Sequence, residues 1–249
     1  MSLWTLWYRL TSPKGFTYFA TACIPWLALG CLLTLAYGLV AGLYVAPADY
    51  QQEDAFRIIY VHVPCAFVSL LIYSALTVAA ITCLVWRVKL ANTFVDAAAP
   101  VGAALTLLAL VTGSLWGKPM WGTWWIWDAR LTSELLLLFI YCGIMALKNA
   151  FPDKRQGSVF KNAFVVIGSV NLPIIHYSVA WWNTLHQGST FTLLGPSKIA
   201  PVMSQPLTVM LVAFSLYAAL MVLLNMRNAV LLECQRARWV SAWLAKRKR

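Results

Sequence analysis

Charge is scarce in this chain. Of 249 residues only 11% are charged, eight of them acidic, while 61% are hydrophobic. No polar segment is long enough to build a soluble domain, and apolar runs of about 20 residues or more recur from end to end, which makes this an all-α polytopic membrane protein. Nor do the six cysteines (Cys23, Cys31, Cys65, Cys83, Cys142, Cys234) form a CxxC, CxxCH or zinc-like spacing. That excludes thiol–disulfide exchange and a self-attaching c-type cytochrome, and leaves the cysteines as small apolar fillers. The short basic connections near 87–91 and 151–158 carry no Gly-rich phosphate cradle, so any ATP is used by another subunit. No internal repeat and no inverted pairing of the transporter kind is visible.

Six transmembrane spans are expected, at about 17–44, 58–86, 92–115, 129–150, 159–181 and 203–228. Arg9 and Lys14 precede a first run too long for a signal peptide, so it is read as a retained span. Most of the net charge of +11 then falls on one side: Lys14, Arg87, Lys89, Lys148, Lys154, Arg155, Lys161 and a basic tail over 229–249. Arg57, Lys118, Arg130 and Lys198 fall on the other. By the positive-inside rule both termini are cytoplasmic. The basic excess is thus a topology signal that needs no nucleic acid. The tail, with Trp239 and Trp243 four residues apart, is expected to lie on the bilayer surface against anionic lipid.

The outward side collects the unusual chemistry. Between the third and fourth spans, residues 116–128 hold Trp116, Trp121, Trp124, Trp125 and Trp127 and close with Asp128. Trp121, Trp124, Trp125 and Asp128 have i, i+3, i+4, i+7 spacing, so a helix there would present three indoles and a carboxylate on one face. An aromatic belt is the alternative, but a belt puts one or two tryptophans at each helix end. Five in one connection suit a surface that holds something flat and apolar.

All three histidines sit at or near that same side. His62, in RIIYVHVP, is either a hydrogen-bonded interfacial residue or a metal ligand. His186, in WWNTLHQGST, is either a solvated loop residue or a second ligand turned back by Gly188 and Ser189. His176, after Pro173, is read as structural, bonding a neighbouring helix or a carbonyl freed by the proline. Asp128 suits an N-cap of the fourth span, and Glu134 a place near that helix's positive end. Arg57 and Arg130 run against the outward charge bias; each pairs either with carboxylates of a ligand or with Asp49, Glu53, Asp54 or Asp128. Indoles, imidazoles and guanidiniums together suit a planar, apolar, iron-containing ligand with two carboxylates, which is haem, held non-covalently as haem b.

WGTWWIWD (121–128) resembles the signature of a tryptophan-rich (WWD) haem-handling membrane protein family. The likeness extends through APADYQQ (46–52), RIIYVHVP (57–64), VTGSLWGKPMWGTWWIWDARLTSELLL (111–137) and VNLPIIHYSVAWWNTLHQGST (170–190). The compact six-span form sets the chain apart from larger, histidine-richer synthase-type relatives. The resemblance implies that His62 and His186 are axial ligands of haem iron. It also implies that Trp121, Trp124, Trp125, Trp127 and Asp128 belong to an outer haem-presenting segment. It implies, further, a non-enzymatic component that delivers haem to a membrane-anchored haem chaperone for c-type cytochrome biogenesis. Its expected companions are a two-subunit ABC transporter and a very small membrane protein, and its implied location is a bacterial inner membrane. Two other classes were weighed against the residues. A permease needs polar residues at mid-span, and apart from Asp96 the spans offer almost none. A di-haem electron carrier needs two histidine pairs at different depths, and three histidines cannot supply them.

Overall fold

The computed structural model describes residues 12–186 and 199–247, which are helical apart from their connections and one isolated bridge between Asp49 and Glu53. Lys198, Gly188, Ser189 and the terminal Arg9, Lys248 and Arg249 lie outside the described residues. Six helical stretches are long and apolar enough to cross a membrane, as the sequence leads one to expect.

Helix α1 (Pro13–Val40) opens on Ser12, whose Oγ accepts the Gly15 N–H at 3.1 Å, and runs on into a π turn at Ala41–Val45. A 3₁₀ turn (Asp54–Ile58) leads into α2 (Ile59–Trp86). Helix α3 (Lys89–Trp121) has 33 residues and so rises about 50 Å, against a hydrocarbon layer of about 30 Å. Its last turns therefore stand clear of the layer, and the helix continues six residues beyond the expected end at 115. Helix α4 (Ala129–Leu147) follows, three residues shorter than expected. The fifth span begins at Lys154 and is broken: α5 (Lys154–Gly168) gives way to α6 (Asn171–Trp181) where Pro173 removes a backbone donor. Helix α7 (Pro201–Glu233) and a short α8 (Arg238–Arg247) complete the chain.

Helix α3 is the spine, packing on α2, α4 and α7, while α1 lies along α7 at one edge. The middle of the bundle is filled. Tyr73 and Tyr141 are fully buried, their hydroxyls donating to the carbonyls of Val165 (3.0 Å) and Ser69 (2.8 Å), and Leu76, Val95, Leu105 and Leu137 close around them.

Lys161, inside the expected fifth span, is buried within α5 and paired with Asp96 of α3, beside a cluster in which Asn162 and Ser158 both donate to the side-chain oxygen of Asn92. In the tail, Val240 and Trp243 are buried and Trp239 packs on the main core, because folding α8 back onto the bundle hides more apolar surface than lying apart from it.

Candidate functional site

The 41–58, 122–128 and 182–186 connections meet at one end of the bundle, and there a cleft, partly open to solvent, lies between α2, α3 and α4. Its wall contains His62, Trp116, Trp121, Trp125, Arg130, Glu134 and His186.

His62 sits in the first turn of α2. Its Nδ1 is 3.0 Å from the Ala109 carbonyl and 3.1 Å from Thr112 Oγ1. A carbonyl only accepts, so Nδ1 carries the proton and Nε2 keeps its lone pair, the arrangement found behind metal-bound histidines. Gly113 makes the fit possible: a Cβ there would lie 2.9 Å from Cε1 of His62. The ring meets Trp116 edge-on, with centroids 5.7 Å apart. Trp116 is held in turn, since its Nε1 donates to Gln52 Oε1 at 3.0 Å. Gln52 is set by Asp49, whose Oδ1 accepts the N–H groups of Gln51 and Gln52 at 2.9 Å each.

His186 approaches from the connection after α6. Its ring centroid is 6.3 Å from that of His62 and 6.3 Å from that of Trp121. Two imidazoles bound on opposite sides of one metal, with metal–nitrogen bonds of about 2.0–2.1 Å, have ring centroids roughly 6 Å apart. The pair therefore stands at the spacing such a metal needs. Among the described residues no three His, Cys, Asp or Glu gather as a metal site. The cavity wall also holds two orphaned polar atoms, Trp125 Nε1 and Glu134 Oε2, both buried without a hydrogen-bond partner. Among the described residues the indole N–H meets no acceptor, which fits a ligand bearing carboxylates.

The tryptophan segment is not one helical face. The helix ends at Trp121 because Gly122 takes the left-handed conformation (φ 76°), its N–H donating to the Lys118 carbonyl at 3.0 Å. Residues 122–128 are non-helical, so the i, i+3, i+4 spacing no longer places side chains together. Trp121 and Trp125 line the cavity, while Trp124 and Trp127 are 53% and 76% exposed. Lys118 stands over the Trp124 ring, 5.8 Å from its centroid. Asp128 is the N-cap of α4, Oδ1 accepting the Leu131 N–H at 2.8 Å; its other oxygen accepts the Thr184 hydroxyl.

The arginines divide. Arg130 lines the cavity, one arm donating to the Ile175 carbonyl at 2.7 Å. Arg57 does not line it; the guanidinium pairs with Asp54 at 2.8 Å and donates to the carbonyls of Gly42 and Ala46. It serves to fasten the end of α1 to the start of α2. His176 is exposed and meets Tyr177 edge-on at 4.7 Å, so the expected bond to a helix or a freed carbonyl is not what engages it. Gln52 and Glu134 were not singled out as cavity residues from the sequence. An acid five positions past the start of a span was the available signal for Glu134; for Gln52 there was none.

A family model described as heme exporter protein C matches residues 6–241. Heme exporter protein C of Escherichia coli (strain K12) is 51% identical over 247 residues, 99% of this chain and 100% of the relative. That of Bradyrhizobium diazoefficiens is 44% identical over 222 residues, covering 89% and 84%. A putative cytochrome c biosynthesis ccmC-like mitochondrial protein of Marchantia polymorpha is 42% identical over 201 residues, covering 81% and 85%.

Proposed function

Since the chain belongs to the heme exporter protein C family, we propose that it holds haem b non-covalently between His62 and His186 and delivers it to a membrane-anchored haem chaperone for c-type cytochrome biogenesis. The observation that carries this reading is the pair of imidazoles, 6.3 Å apart, at the mouth of a tryptophan-walled cavity. Trp116, Trp121 and Trp125 supply apolar contact; Arg130 and the Trp125 N–H face the carboxylates. Trp124 and Trp127, exposed beside the mouth, present the cargo's edge to the acceptor. No cysteine lines the cavity, in keeping with a cargo that leaves without breaking a covalent bond.

Two imidazoles fill both axial positions of the iron and leave none open for oxygen chemistry, which suits a carrier rather than an enzyme. The filled middle of the bundle favours a binding site at one end over a permease path through it. The cavity end faces the periplasm, with both termini in the cytoplasm, by the distribution of Lys and Arg. A two-subunit ABC transporter supplies the energy, with a very small membrane protein beside it.

The test is spectral. Protein purified in detergent carries low-spin haem; His62→Ala and His186→Ala each lose that spectrum, and His176→Ala keeps it. A double His62→Ala/His186→Ala variant with an unaltered haem spectrum defeats the site assignment. Replacing Trp124 and Trp127 together slows chaperone loading while haem content stays near that of the parent, measured by haem stain of the chaperone.

A further inference from the structure

Asp128 belongs to the tryptophan-rich signature, yet it does not line the cavity, and both of its oxygens are already used within the protein. Oδ1 accepts the Leu131 N–H and caps α4. Oδ2 accepts the hydroxyl hydrogen of Thr184. Thr184 Oγ1 in turn accepts the backbone N–H of His186 at 3.0 Å. A hydroxyl has one hydrogen and can also accept, and here both capacities are spent: one on the helix cap, one on the residue that bears the imidazole.

We infer that Thr184 is a positioning residue that ties the His186 backbone to the N-cap carboxylate of α4 and so holds the His186 imidazole at ligating distance from His62. The inference rests on the haem reading above. Its physical basis is preorganisation. His186 lies five residues past the end of α6, on a connection with no helix to fix it. His62, by contrast, is set in a helix and pinned through Nδ1. The second imidazole therefore needs an anchor outside its own connection. The start of α4 is the nearest rigid point, because the cap and the Arg130 bond to Ile175 lock that helix in place. The tie acts on the backbone of His186, whose ring stands beside those of His62 and Trp121.

Valine has the shape of threonine without the hydroxyl; serine keeps the hydroxyl without the methyl. Full-length protein purified with its haem is compared as parent, Thr184→Val and Thr184→Ser, with exogenous imidazole as the probe. In Thr184→Val the equilibrium for the second axial ligand falls roughly tenfold or more, the size of effect that supporting groups have on metal sites. It is read as a rise in high-spin haem that added imidazole reverses. Thr184→Ser keeps the low-spin spectrum. A Thr184→Val spectrum identical to the parent's and indifferent to imidazole overturns the inference, as does an equal defect in valine and serine variants. If the valine variant does not accumulate, Thr184→Ala decides. Alanine also removes the hydroxyl, with less bulk than valine, and the same imidazole-reversible shift is expected; a parent-like spectrum again overturns the tie. Parent protein without low-spin haem would instead defeat the underlying site assignment, so the two failures are distinct.

Discussion

Gly113 shows how narrow the tolerance is around the first imidazole. Its α-carbon backs directly onto the His62 ring, which is pinned on the other side by the Ala109 carbonyl and Thr112. One methyl group there has nowhere to go unless the ring gives way. Gly113→Ala is therefore expected to displace His62 from its hydrogen bonds and lower haem retention by roughly 10–100-fold, the range for disturbed supporting groups, as measured by haem content per protein after detergent purification. The histidines themselves were legible in the sequence because there are only three, all of them in two extended matching stretches. The arginines were not. Charge alone offered Arg57 and Arg130 the same partners, and it is the 3₁₀ turn holding both Asp54 and Arg57 that commits the pair. Gln52 was invisible for a similar reason: its role comes from a neighbour 64 positions away.

At the scale of the element, the tryptophan segment shows where periodicity misleads. The spacing from Trp121 to Asp128 is helical, but the chain turns at Gly122, and a left-handed glycine ends a helix whatever pattern runs through it. The glycine itself was the legible signal. Gly122→Ala must hold a Cβ in the left-handed region, which costs about 1–2 kcal/mol. The expected outcome is a lower thermal midpoint together with weaker haem binding, since Trp121 and Trp125 lie on either side of the turn. A variant as stable as the parent with full haem content would show the turn to be dispensable. The six spans, in contrast, were readable to within several residues, because apolar length is set by the bilayer and not by tertiary contacts.

Taken whole, the bundle keeps its charges apart by function. The site end carries Arg130 and Glu134 in the cavity wall, and the opposite end carries the buried Asp96–Lys161 pair between α3 and α5. Counting Lys161 only as an inner-side charge hid that pair, since sequence places it two residues into a span but does not show which neighbour it meets. Removing one partner leaves an uncompensated buried charge: Lys161→Met alone is expected to cost about 3–5 kcal/mol, and joint replacement with Asp96→Leu to recover most of it. Detergent-solubilised thermal unfolding reads both; equal stability of the single and double variants would count against the pair as a structural lock.

The two imidazoles are mounted unequally. One grows from a helix rooted in the filled centre of the molecule, the other from a short connection tied at one hydroxyl. A vice with one fixed jaw and one on a hinge opens from the hinged side, because the softer support yields at lower cost. Were the pair to hold iron as proposed, the His186 side would be uncovered first, with His62 still in place while an acceptor takes hold.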